Sequence, residues 1–368
     1  MRLLVVNAGS SSLKLAVLDG ADDGAAAATT VERWAGADDL APLAAFLDRC
    51  GPVDAVGHRV VHGGPRPSAP ALVDDELLAD LGSVTHLAPL HQPRALAGIA
   101  AARDLLGGVP AVACFDTAFH ATLPPAAGTY AVPAEWNRRW GLRRYGFHGL
   151  SHAYAARRGA ELAGGRPEDL RIVTCHLGAG ASLAAVRNGR SVDTTMGFTP
   201  LAGLVMNTRP GTLDPGLLLW LLRHGGVPLA ELGDVLEHSA GLRGLSGTSG
   251  DLREVLAGRD RGDPDCALAL DVYLHRLVRE AAAMTAATAG LDLLVLTGGV
   301  GEHAWQVREA LGEGLAHLGV AVDAAANRTA TGDADIGAPG AAVRTVVVTA
   351  REDLEIRRQV LAVLDPAG

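Results

Sequence analysis

Two stretches of this chain, about half its length apart, read alike. Residues 3–6 (Leu-Leu-Val-Val) are an apolar run that stops at Asn7-Ala8-Gly9-Ser10-Ser11-Ser12, and Leu13–Leu18 is a second run closed by Asp19-Gly20. The pattern returns at Arg171–Cys175, which leads into His176-Leu177-Gly178-Ala179-Gly180-Ala181-Ser182 and closes at Asn188-Gly189. Setting Asn7 against His176 places Gly9 on Gly178, Val17 on Val186 and Gly20 on Gly189. Strand, small-residue turn, strand and Asx-Gly spell an antiparallel hairpin. Two such copies constrain the chain to two units, each opened by a hairpin. A length of 368 residues agrees with two domains of ordinary size.

The rest of the chain alternates strands and helices. Val53–Val61 and Val109–Phe115 read as strands, the second ending at Asp116, and Leu291–Thr297 is a buried strand running into Gly298-Gly299-Val300-Gly301-Glu302. Thr345–Thr349 reads as the last strand. Residues 74–82, 94–106, 152–164, 214–224, 265–289, about 303–318 and 352–364 have helical periodicity, whereas residues 20–38 give little signal. Alternation of this kind indicates an α/β class, and the hairpins argue for mixed rather than purely parallel sheets.

Composition narrows the function. A hydrophobic fraction of 48% with 20% charged residues is globular. A formal net charge of −9 argues against nucleic-acid binding, while leaving room for a local cationic pocket. The four cysteines are scattered without metal spacing and read as reduced core residues of a cytoplasmic protein. No apolar stretch is long enough to read as a signal peptide or a membrane span. Of 32 basic residues one alone is lysine, Lys14, and it lies on the strand leaving the first turn. A compact ammonium and a planar guanidinium are not interchangeable.

Three small-residue turns follow buried strands: 7–14, 176–182 and 297–302. Such turns let backbone amides approach a phosphate, although each alone reads equally as an ordinary turn. Arg59 sits in an otherwise apolar strand, and Arg209 in a loop with Pro210 and Gly211. Each needs an anion, either a ligand or a structural partner. Asp116, at the carboxyl end of a strand, is a ligand-facing residue or a helix cap. His148, between Phe147 and Gly149, is a packed residue or a catalyst.

Nine segments in order, NAGSSSLK at 7–14, GHRVVHGG at 57–64, LAPLHQP at 87–93, FDTAFH at 115–120, YGFHGLSH at 145–152, CHLGAGAS at 175–182, MGFTPLAGL at 196–204, TRPGTLDPG at 208–216 and TGGVGE at 297–302, resemble the acetokinase family. They span almost the whole chain. The resemblance implies an α/β fold of two RNase H-like domains, shared with actin, sugar kinases and Hsp70 ATPase domains, with the active site in the cleft between them. It implies residues 1–118 with 353–368 as the N-terminal domain, and 119–352 as the nucleotide-binding and dimerisation domain. The implied reaction is reversible transfer of the ATP γ-phosphoryl group to acetate, dependent on Mg²⁺ with Mn²⁺ as a substitute, in a cytoplasmic homodimer that binds neither nucleic acid nor membrane.

The resemblance also implies roles. Asn7 and Glu352 would hold the metal. Ser10, Ser12 and Lys14 would face the phosphates. Arg59, Asp116, His148 and Arg209 would be catalytic, the arginines bringing two anions together. Arg59, Val61, Leu90, His91, Phe147 and Pro200 would form the acyl pocket. His176, Leu177, Gly178, Ala179, Gly180, Asp251, Leu252, Arg253, Gly299, Val300, Gly301, Glu302 and His303 would hold the nucleotide. Against the family pattern, Ala179 and Ala181 stand where Asn and Ser are usual, Asn207 where Gly is usual, and His303 where Asn is usual. The loss of a side-chain donor at 179 predicts a weakened KM for ATP. Two alternatives remain: a propionate kinase, and a non-catalytic nucleotide-binding regulator.

Overall fold

The computed structural model describes residues 1–9, 12–20, 23–36, 39–65, 69–89 and 91–365. The chain forms two compact units: Met1–Ala121 with Phe147–Tyr154 and Arg351–Gly368, and Thr122–Gly146 with Ala155–Ala350.

The first unit is built on six strands: β1 (Arg2–Ala8), β2 (Ser12–Asp19), β3 (Ala25–Glu32), β4 (Ala55–Val60), β5 (Ala71–Leu72) and β6 (Ala111–Phe115), in the order β3-β2-β1-β4-β6-β5. β1 pairs antiparallel with β2 and parallel with β4. The apolar runs explain the strands: Leu4, Val6, Leu13, Leu15 and Val17 join Trp34, Leu43 and Phe46 in one core cluster. β3 falls within residues 20–38, where little signal was expected. It is an Ala-rich edge strand of half-exposed and exposed residues, so neither a buried apolar run nor an apolar–polar alternation in the sequence marks it. The opposite face of the sheet takes the helix Glu352–Leu364, which packs on β4, β6 and β1. Gly57 permits that approach, since a Cβ there would lie 2.4 Å from Ile356 Cγ2.

The second unit repeats the plan with β7 (Arg171–Leu177), β8 (Ala181–Arg187), β9 (Arg190–Thr194), β10 (Leu293–Thr297), β11 (Ala334–Asp335) and β12 (Arg344–Val347), in the order β11-β12-β10-β7-β8-β9. Strand directions match one for one, down to the two-residue antiparallel edge strands β5 and β11. This is the duplicated mixed α/β sheet of the RNase H-like plan. Registers match as well. Val6 pairs with His58 as Cys175 pairs with Leu296, and His58 with Ala113 as Leu296 with Val347.

One correction concerns the sequence repeat. Asn7 pairs with Lys14 across the first hairpin, but His176 pairs with Ser182 across the second. The second turn is one residue shorter. The ungapped alignment holds up to Gly178 and slips by one on the outgoing strand, so Val17 corresponds to Ala185 rather than Val186.

Between β9 and β10 the second unit carries a helical insertion dominated by Pro264–Thr288, capped by the Asp263 carboxylate on the amides of Asp265 and Cys266. Its buried residues Cys266, Ala269, Leu270, Tyr273, Leu277, Ala281 and Met284 recur at three- and four-residue spacing. The expected helix over 303–318 is instead Gly298–His303, Trp305–Gly314 and a 3₁₀ turn at Ala316–Leu318.

Candidate active site

In the first unit, polar side chains gather at the carboxyl ends of β1, β4 and β6. Arg59 donates from Nε and Nη2 to the two Asp116 oxygens at 3.1 and 2.6 Å, and from Nη1 to Asn7 Oδ1 at 3.2 Å. Its Nε also lies 3.6 Å from Glu352, the first residue of the helix that covers this face of the sheet. Strand alternation produces the cluster: Gly57 and Arg59 share the face on which that helix packs, whereas Val56 and Val60 face the cores. The Asp116 side chain is 1% exposed and that of Arg59 16%. Burial opposes the charge of Arg59, but the Asp116 and Glu352 carboxylates outweigh it and hold the guanidinium protonated. Burial pushes the Asp116 carboxyl up, against the pull of Arg59. Asp116 is therefore bound bidentately by an arginine and caps no helix.

His148 is tied to this cluster through its neighbour Gly149. Gly149 N–H donates to the Asp116 carbonyl at 2.8 Å, and a Cβ at 149 would fall 2.1 Å from that oxygen. His148 itself takes the left-handed conformation, φ 56°. Such a backbone in a non-glycine residue is uncommon and clusters at functional sites. Val61 and Phe147 are buried, with the His62 ring edge-on to Phe147 at 5.7 Å. Gln92, fully buried, holds the Val61–Gly63 segment: its Nε2 donates to the His62 carbonyl at 2.9 Å and its Oε1 accepts the His62 amide at 3.3 Å. Burial lowers the His62 imidazole to about 4, with His86 adding to the effect. His91 immediately precedes the helix Gln92–Leu106. Lys14 is exposed, opposite Asn7 across the hairpin. Ser12 begins β2, while Ser10 and Leu90 fall outside the described residues.

The second unit holds a cavity of about 670 Å³, lined among others by Gly178, Ala179, Asn207, Asp251, Leu252, Arg253, Gly299, Val300 and His303. Its size suits a cofactor or a nucleotide. Gly298, at φ 79°, lets β10 turn against β7; a Cβ there would lie 2.7 Å from the Leu177 carbonyl. Gly299 faces open space. Asp251 caps the helix Leu252–Asp260 and pairs with Arg253. Sequence reasoning missed Leu256, Ala257, Asp260 and Trp305 on the same wall, although Leu252, Leu256 and Asp260 share one helical face. His176, next to last in β7, pairs with Ser182, and the Gly178 amide donates to the Gly180 carbonyl at 3.0 Å. The Glu302 carboxylate accepts from the Ala350 amide at 3.0 Å, while buried Arg308 donates to the carbonyls of Gly301 and Glu302.

Also in the second unit, Arg209 donates to the Pro200 carbonyl at 2.9 Å. Burial lowers its pKa, with Glu237 opposing. Its loop is fixed by backbone bonds: the carbonyls of Met206, Asn207 and Thr208 accept from Leu242, Arg243 and Ala240. Gly241 and Gly250, both at positive φ, let these segments meet.

Among the described residues no three His, Cys, Asp or Glu side chains converge as a metal site, and no helix is long and apolar enough to cross a membrane. Asn7 and Glu352 offer hard oxygen donors without a full cage. That set fits Mg²⁺, which typically takes one or two carboxylates and completes its shell with water and phosphate oxygens.

Comparison with known proteins follows the same lines. The family model described as the acetokinase family matches residues 37–358. An acetate kinase of Nostoc punctiforme is 44% identical over 318 residues, covering 86% of this chain and 78% of that protein. Among solved structures, the acetate kinase of Porphyromonas gingivalis superposes with a TM-score of 0.92 at 34% identity, covering 99% of each chain. A propionate kinase of Francisella tularensis superposes at 0.88 with 32% identity, covering 97% of this chain and 98% of that one.

Proposed function

The chain belongs to the acetokinase family, and from that premise we propose that it is an acetate kinase, transferring the ATP γ-phosphoryl group reversibly to acetate. The observation that carries the reading is the half-buried Arg59 guanidinium bound to buried Asp116, Asn7 and Glu352 at the strand ends of the first unit. A carboxylate oxygen attacks the γ-phosphorus, the bond to the β–γ bridging oxygen breaks, and its electron pair leaves with ADP. Both reactants are anions, so the main obstacle is charge repulsion. Arg59 meets the carboxylate and the transferring phosphoryl group, Arg209 supplies a second guanidinium, and His148 donates to the equatorial oxygens. Acetate is ionised already and needs no base. Asp116, spent on two bonds to Arg59, is a positioning residue that fixes the guanidinium.

Asn7 and Glu352 would hold Mg²⁺, which supplies charge neutralisation at the phosphates; Mn²⁺ offers the same coordination chemistry. The nucleotide lies in the cavity of the second unit, its phosphates toward the 176–180 and 298–303 turns. Val61, His91 and Phe147 of the first unit would bound the methyl side of the acceptor. One methylene in such a pocket discriminates by roughly 1–3 kcal/mol, so slower use of propionate accompanies the main activity. The similarity to a propionate kinase favours that as the second reading, and the ratio of kcat/KM for the two acids decides between them. A homodimer and a cytoplasmic location go with the reading. The helix Pro215–Arg223 has no buried residue and exposes Leu217, Leu219, Trp220 and Leu222, a face for a second copy.

The test is trapping of acetyl phosphate as its hydroxamate from acetate and Mg-ATP. Product is expected at a rate that scales with enzyme. None at high enzyme concentration would overturn the kinase reading in favour of a non-catalytic nucleotide binder.

A further inference from the structure

Two of the departures from the family pattern in the second unit meet in space. Ala179, in the phosphate turn, and Asn207, 28 residues later in the chain, line the same cavity. The Asn207 amide donates to the Ala179 carbonyl at 3.1 Å, which sets the two residues side by side. Asn207 is also held on its other side: its carbonyl accepts from Arg243 at 2.9 Å, and Gly250 approaches so closely that a Cβ would lie 2.4 Å from that oxygen. A clasped backbone presents its side chain with little freedom to lose on binding. The other charged groups on this wall are committed or acidic. Arg253 is paired with Asp251 and Asp260 with Arg259, so little free cationic charge is offered to a phosphate.

We propose that the Asn207 carboxamide is a phosphate-binding group of the nucleotide site, doing from position 207 what a side-chain donor in the 176–182 turn would do from position 179. The inference rests on reading this cavity as the nucleotide pocket. Its NH₂ donates to a phosphate oxygen of the bound nucleotide, a charge-assisted bond that an alanine at 179 cannot make. The donor has moved from the turn itself to the loop that the turn's carbonyl anchors. It follows that the alanine at 179 leaves no vacant phosphate contact, and that nucleotide affinity is not weakened by it.

The experiment measures Kd for ADP and for adenosine on wild type, Asn207→Gly, Ala179→Asn, the double variant, and Asn207→Asp. Removing one bond to a charged group costs about tenfold in affinity, so Asn207→Gly is expected to bind ADP about tenfold more weakly while adenosine binding stays within twofold. Ala179→Asn alone should change ADP affinity less than twofold. The double variant should return to within about threefold of wild type. Asn207→Asp, which puts a carboxylate against the phosphates, should bind ADP more weakly than Asn207→Gly, and it serves as the second probe should the glycine variant fold poorly. Unchanged ADP affinity in Asn207→Gly would overturn the proposal, as would an equal loss for adenosine, which carries no phosphate. A gain in Ala179→Asn that simply adds to the Asn207→Gly loss would do so too. A wild type that binds neither ADP nor adenosine would instead overturn the nucleotide reading of the cavity, and the proposal with it.

Discussion

The two sheets share strand order, strand direction and register, yet their carboxyl ends carry opposite chemistry. On the register established by the paired strands, Asn7, Arg59 and Asp116 of the first unit correspond to His176, Thr297 and Ala350 of the second. Lys14 corresponds to Ser182, and His58 to Leu296. One sheet ends in a charged cluster around buried Asp116; the other ends in glycines and backbone amides beside a cavity. The fold fixes where chemistry can be placed, and residue identity at equivalent positions decides which. On the function proposed above, a carboxylate acceptor calls for cations in the first unit, and a nucleotide calls for room and amides in the second.

Packing shows the same interchange. In the first unit the strand supplies the glycine, Gly57, and the helix the bulk, Ile356; in the second the strand supplies Val295 and the helix Gly149–Leu162 the glycine, Gly159. Gly57 and Val295 are register equivalents. Each unit solves the same close helix–sheet contact, with knob and hole exchanged.

Carrying residues of the second unit onto their counterparts in the first is the way to break this comparison. Arg59→Thr should have the largest effect, because it strands the Asp116 carboxylate, 1% exposed, without its cation. Breaking a buried pair from one side costs roughly 3–5 kcal/mol, to be read by urea denaturation; a loss below 1 kcal/mol would mean that water or another cation already serves Asp116. Gly57→Val should come next, since even a Cβ meets Ile356 at 2.4 Å. Overpacking of this kind costs about 1–3 kcal/mol, and the further substitution Ile356→Ala should recover much of it. If the pair of substitutions is no better than Gly57→Val alone, the knob-and-hole account is wrong.

Lys14→Arg keeps charge and should leave the melting temperature unchanged, while kcat/KM for ATP falls about tenfold, because a planar fork replaces a compact ammonium. Full activity in that variant would remove the special status of the one lysine. His58→Leu should act least, and only with pH. Burial lowers the His58 imidazole from 6.5 to about 3. The unfolded chain therefore takes up a proton that the folded chain refuses. The stability this group contributes is fully present above pH 6.5 and is lost as pH falls toward 3, at up to about 1.4 kcal/mol per pH unit. Denaturation midpoints between pH 7 and 5 should fall less steeply in His58→Leu than in wild type, and parallel curves would contradict the assignment.

The hairpins, the helix Glu352–Leu364 and the turn after β10 were legible from sequence because each couples an apolar period to small or capping residues. β3 was not, since alanines on an edge strand carry no period. Arg59 and Asp116 could be singled out as a charge in an apolar run and an acid at a strand end. That they bind each other depends on β4–β6 pairing across 57 residues, which no local pattern encodes. For the same reason Ala179 and Asn207 read as separate departures, and only the fold sets them side by side. The one-residue shortening of the second turn was hidden because the ungapped alignment matches glycines at both ends, Gly9 on Gly178 and Gly20 on Gly189.

The division of labour between the two sheets is tested most directly on Arg59→Lys, measured alongside Arg59→Thr for both acetyl phosphate formation and ADP binding. The account predicts that acetyl phosphate formation falls by at least about a hundredfold, as removal of one electrostatic partner of the transition state does, while the Kd for ADP stays within twofold of wild type. Parallel loss of ADP binding, or product formation near the wild-type rate, would contradict it.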